Sequence, residues 1–144
     1  MAVDLGTGVD LILEGLEAAE QAPKLVAMYG LPNAGKSYLM TRIKSRTESC
    51  GEETACLEGV ANADLFKDMR DRPVAMPRVI LLHFGDQRYL IGSYDDPAVL
   101  SQIILKRPID LTVGIYNPRF QRPLQGEYDI LIENPDSKKK PSLW

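Results

Sequence analysis

Gly30-Leu31-Pro32-Asn33-Ala34-Gly35-Lys36-Ser37 is the stretch of this chain whose residue types and spacing could do chemistry. It satisfies G-x-x-x-x-G-K-[ST] at each fixed position, a pattern suited to gripping phosphate groups. Gly30 lets the chain leave a strand in a turn that a side chain would obstruct. Backbone N–H groups of the loop then point inward as a nest for anionic oxygens. Gly35 permits close approach, and a helix opening near Lys36 adds the positive end of its dipole. Lys36 would reach the terminal phosphates, and the Ser37 hydroxyl would coordinate Mg²⁺. Pro32, Asn33, Ala34 and Tyr38 complete the expected contact set.

Transferring a phosphoryl group requires more than a cradle. A carboxylate at the end of a neighbouring strand must hold the metal or take the acceptor's proton. Three positions compete, in the order Asp95, Glu58, Asp86. Asp95 follows the run Tyr89–Tyr94 and precedes a capped helix, which makes it a metal candidate beside Ser37. Glu58 ends a short apolar run and is followed by a glycine, whereas Asp86 falls in an expected hairpin turn. Arg119 and Arg122, in NPRFQRP, follow a strand and could clamp the transferring group, with a solvated loop as the plain alternative. Arg107 is a weaker candidate at a helix end. His83, set among Leu81, Leu82 and Phe84, reads as a packed residue.

These residues need elements to carry them. Apolar positions 9, 12, 13, 16 and 19 lie on one helical face, after a T-x-x-D start signal at Thr7 and Asp10. Lys24–Tyr29 reads as a buried strand ending at Gly30, and a helix resumes over Ser37–Ile43. The polar stretch 44–54 reads as a loop, and residues 55–60 as a short strand. Asn62 or Asp64 would cap a helix through Leu65, Phe66 and Met69. Val79–Phe84 and Tyr89–Tyr94 are parted by too short a gap for a crossover, which predicts an antiparallel hairpin. Asp96 and Pro97 open a further helix that Pro108 closes. Strands are expected at Leu111–Tyr116 and Tyr128–Ile132. This alternation predicts a three-layer α/β fold, a mostly parallel sheet flanked by helices with one hairpin interposed.

The 144 residues fit one domain, expected over 1–136 with a solvated tail at 137–144 that carries Lys138, Lys139, Lys140 and Trp144. A formal net charge of -3 supplies no global basic field to attract nucleic acid. Cys50 and Cys56 match no common zinc or redox spacing and read as free thiols. The amino terminus has no basic region ahead of an apolar run, and no stretch approaches the ~20 apolar residues of a membrane span. The expected location is cytoplasmic, without a membrane partner.

Over about residues 24–46 the chain resembles the P-loop NTPase superfamily, through GLPNAGKS between a strand and a helix. The wording of the loop is similar to that of Obg-type GTPases. Their D-x-x-G and guanine-reading N-K-x-D are absent here, since Asn33, Asn62, Asn117 and Asn134 are none of them followed by lysine. The remainder looks more like small P-loop kinases acting on nucleotides or other metabolites. The resemblance implies ATP (or GTP) with Mg²⁺ as ligands and a small-molecule phosphate acceptor. A nucleotide-hydrolysing switch and a non-catalytic nucleotide-binding module are the alternatives.

Overall fold

A computed structural model describes residues 2–31, 33–58, 63–84, 97–124 and 126–135. In chain order the elements are α1 (Leu5–Ala18), β1 (Lys24–Tyr29), α2 (Lys36–Ser49), β2 (Thr54–Glu58) and α3 (Ala63–Asp71). There follow β3 (Val79–Phe84), α4 (Pro97–Leu100) running into a π-turn at Ser101–Leu105, β4 (Leu111–Tyr116) and β5 (Ile130–Glu133). The strands form one five-stranded sheet in the order β2-β3-β1-β4-β5, parallel at each pairing. This is the expected α/β architecture.

The strand sequences explain the layers. Side chains alternate across a strand, so β1 sends Val26 and Met28 to one face and Leu25, Ala27 and Tyr29 to the other. The first face packs on α1 and α2 through Ile12, Leu16, Leu39 and Ile43. The second packs on α3 and α4 through Phe66, Met69 and Leu100. A strand buried on both sides must be apolar throughout, and KLVAMY is fully buried.

The expected hairpin does not form, and sheet pairing gives the reason. A strand has two edges, and both edges of β3 are occupied: Val79–Phe84 pairs with Lys24–Tyr29 on one side, and Val79–His83 with Thr54–Glu58 on the other. No edge remains for an antiparallel partner. Residues 89–94, read as the second arm, lie outside the described residues, as does the tail at 137–144.

Two helix boundaries also differ from expectation. Asp4, not Thr7, caps α1, its carboxylate accepting from the Thr7 N–H at 2.7 Å. Helix α2 continues to Ser49 through residues whose polarity predicts a loop. Leu39, Ile43 and Thr47 are spaced four apart, and all three are buried. Thr47 extends the inner stripe because its hydroxyl bonds the Ile43 carbonyl at 3.0 Å and meets the Thr54 hydroxyl at 2.5 Å. A satisfied hydroxyl can be buried where an orphaned one cannot. Residues 2–4 then close the far edge of the sheet: Val3 N–H donates to the Leu131 carbonyl, and Glu133 N–H donates to that of Val3.

Candidate functional site

Parallel strands bring all their carboxyl ends to one edge, and the loop beginning at Gly30 leaves β1 at that edge. Tyr29, the last residue of β1, pairs with Phe84 at the end of β3 and with Gly114, while β4 continues two residues further to Tyr116. The loop therefore rises between the ends of β3 and β4.

Its local shape follows from residue types. A Cβ at Gly30 would stand 2.6 Å from the Ile115 carbonyl oxygen, so a side chain there would collide with the backbone of β4. Asn33 adopts φ 70° and Gly35 φ 99°, both left-handed. Asparagine tolerates that region and glycine enters it freely. Gly35 is the N-cap of α2 and supplies no side-chain acceptor, and the helix's first turn carries no acidic residue. Such an end presents N–H groups and a positive partial charge to an anion.

Lys36 is only 9% exposed, and its ammonium donates to the Gly30 carbonyl across the base of the loop. Ser37 is exposed in the first turn, its carbonyl accepting from the Thr41 hydroxyl at 2.9 Å. Tyr38 is 58% exposed, with the Arg42 guanidinium 5.8 Å from its ring centroid. Gly30, Asn33, Ala34, Gly35, Lys36, Ser37 and Tyr38 form the turn after β1 and the first turn of α2. Pro32 lies outside the described residues.

The residues expected to assist the loop are less concentrated. Glu58 ends β2 in register with His83, which puts β3 between it and β1. With strands ~4.8 Å apart, Glu58 starts roughly 10 Å to the side of β1. Asp95, Asp96 and Asp86 lie outside the described residues. The hairpin turn expected at Asp86 falls with the hairpin, since β3 is the immediate parallel neighbour of β1. Arg119 and Arg122 are exposed on the segment that follows β4. Its turn is fixed by Asn117, which is 0% exposed. The Asn117 side-chain oxygen accepts from Arg119 N–H at 2.9 Å, and its own N–H donates to Gln121 Oε1 at 2.9 Å. Arg107 does not belong to this edge: it bonds Asp110 at 3.1 Å and the Pro23 carbonyl, at the opposite end of the sheet.

Sequence reasoning misses one residue that touches the loop. Asn134, just past β5 and 5% exposed, donates from Nδ2 to the Ala34 carbonyl at 3.1 Å. The available signal is that β4 and β5 both end in Asn-Pro, at Asn117-Pro118 and Asn134-Pro135. Asparagine with a following proline stops a strand and frees its amide for local bonds. Nearby, the Tyr116 hydroxyl donates to Glu133 Oε1 at 2.6 Å. Burial, then the bond to Glu133 and its charge, push that phenol up to about 12.

Among the described residues, no group of acidic, cysteine or histidine side chains is arranged to hold a metal ion, and no helix is long and apolar enough to cross a membrane. No protein-family model matches the chain, and no curated protein matches it. One solved structure with similarity to it is described as a possible uridine kinase from Bacillus stearothermophilus. The two share 11% identity and a TM-score of 0.49 over 76% of this chain and 80% of that one, a likeness too slight to carry an argument about activity.

Proposed function

We propose that the carboxyl edge of the sheet binds ATP with Mg²⁺ and transfers the γ-phosphoryl group to a small-molecule or nucleotide acceptor. The observation that carries this reading is the Gly30–Ser37 loop itself. Gly30 sits where a Cβ would meet backbone, Gly35 is left-handed, and an α2 amino end with no side-chain cap lies beside a buried lysine. These are the properties a polyphosphate cradle requires.

In this reading Lys36 exchanges the Gly30 carbonyl for β- and γ-phosphate oxygens, where its charge offsets what develops during transfer. Ser37, exposed at the first turn, would hold Mg²⁺, which would supply positive charge against the phosphate oxygens. Arg119 and Arg122, on the turn that Asn117 fixes, would close over the transferring group. A carboxylate would take the acceptor's proton as its oxygen attacks phosphorus and ADP leaves. Asp86, two residues past the strand adjoining β1, Glu58, at the end of the next strand out, and Asp95 are the candidates for that carboxylate.

Titrating fluorescent ATP and GTP analogues with Mg²⁺ against wild type and Lys36→Ala tests the cradle. The expected result is ATP binding that the substitution removes; equal binding by both proteins would sink the reading. Preference for GTP would favour a switch. Phosphate released without any acceptor would indicate a hydrolase, and tight binding without turnover a binding module. Given turnover, Asp86→Asn, Glu58→Gln and Asp95→Asn identify the base by which one lowers kcat while sparing nucleotide affinity.

A further inference from the structure

We infer that Asn134 is the positioning residue of the phosphate loop, fixing from the far strand the direction in which the loop's amides point. The inference rests on the nucleotide-binding reading above and assigns a part of that site no motif contains.

The Ala34 carbonyl can only accept, so the Asn134 carboxamide meets it with its nitrogen, at 3.1 Å. In a trans peptide the carbonyl and the next N–H lie in one plane and point in opposite directions. Holding the Ala34 oxygen toward β5 therefore turns the Gly35 N–H away from β5. That amide begins the row which, with the first turn of α2, would face phosphate oxygens. Asn134 thus sets the orientation of a donor it does not touch.

The strut has a rigid base. Asn134 N–H donates to the Tyr116 carbonyl at 2.8 Å, tying it to β4, and the preceding Glu133 N–H is bonded to Val3. Its side chain is buried, so water does not compete for the bond. The fit also runs the other way: a Cβ at Gly35 would overlap Asn134 Nδ2. The second glycine of the loop is required by the strut as well as by its own left-handed φ of 99°.

The test uses the full chain as wild type, Asn134→Ala, Gly35→Ala and the double variant, with Lys36→Ala as the binding control. Amide hydrogen exchange without ligand reads the loop directly. Calorimetry with Mg²⁺-ATP, and separately with Mg²⁺-tripolyphosphate, reads its consequence. Asn134→Ala is expected to speed exchange over residues 30–40 and leave β1 and β3 protected. It should weaken ATP and tripolyphosphate by the same factor, about five- to tenfold for one lost hydrogen bond. In the Gly35→Ala background the same substitution should help, because it removes the overlap. Unchanged exchange over 30–40 would overturn the inference. So would faster exchange throughout the chain with a lower melting midpoint and unaltered affinity, the mark of a merely structural asparagine. If wild type binds neither ligand, or Lys36→Ala binds as well as wild type, the nucleotide reading falls, and the exchange comparison alone decides the strut.

Discussion

The two ends of the sheet use polar residues in opposite ways. At the amino end they bind one another. Lys24 pairs with Glu52 at 3.3 Å, Asp110 accepts from Arg107 and from the Leu25 N–H, and Asp129 accepts from the Thr112 N–H. Glu52, Asp110 and Asp129 each complete a bond there, and the edge strands start on fixed footings. At the carboxyl end the loop after β1 is left-handed at Asn33 and Gly35, α2 begins without a side-chain cap, and a buried lysine rests on a backbone carbonyl. Both ends carry charge. One uses it to hold the fold; the other, on the proposed reading, offers backbone donors and a cation to an anion.

If that contrast is right, the two ends should fail differently, and Lys36→Ala gives the largest effect. Losing a charged donor to phosphate should cost about 100-fold in Mg²⁺-ATP affinity and abolish turnover. The melting midpoint should hardly move, because a buried cation is removed along with its bond. Calorimetry and a thermal melt on one preparation check both halves. A large stability loss would put Lys36 among the structural residues and erase the contrast.

Asp110→Ala should do the reverse. The Leu25 N–H loses its acceptor at 2.7 Å, and Arg107 its partner at 3.1 Å, with both ion-pair side chains mostly buried. Leaving a buried donor and a buried guanidinium short should cost about 2–3 kcal/mol by urea unfolding. Nucleotide affinity, measured well below the midpoint, should stay within about twofold. Affinity falling in step with stability would mean that the two ends are coupled.

Gly30→Ala probes where the two roles meet. Its methyl would press on the Ile115 carbonyl at 2.6 Å, and strand backbone yields poorly. Overpacking of this kind costs about 1–3 kcal/mol, and the displaced loop should bind Mg²⁺-ATP less well. Alone among these variants it should move both the urea midpoint and the affinity.

How legible these ends were depends on the range of the information. The loop, the strand before it and the helix after it were readable because each is specified within a few residues: an apolar run, a glycine, a fixed motif. The sheet's parallel character followed from the alternation of elements. The hairpin failed because a short gap between two apolar runs is a local signal, while the neighbours of β3 are chosen by β1 and β2. Helix α2 outruns its sequence signal because Thr47 is polar on its own and buried only against Thr54. In the sequence Asn134 stands out only by the absence of a following lysine; its partner Ala34 is 100 residues away, and no local pattern encodes that contact. The strand ends Asn117-Pro118 and Asn134-Pro135 were the only hint of it.

The smallest predicted effect lies at the carboxyl end, in a pair that is satisfied internally as those of the amino end are. Tyr116 donates to Glu133, and burial followed by that bond raises the phenol from 10.0 to about 12. The folded chain therefore keeps a proton that the unfolded chain gives up between those values. Unfolding in that window releases the proton, so this contribution to stability is whole below about pH 10 and falls as the pH climbs toward 12. Tyr116→Phe should cost about 1 kcal/mol near neutrality, for one hydrogen bond. It should also flatten the alkaline decline, so that the urea midpoints of wild type and variant converge above pH 10. Midpoints that stay parallel would mean the proton is lost elsewhere. The Tyr116–Glu133 bond would then be a contact without a titration behind it.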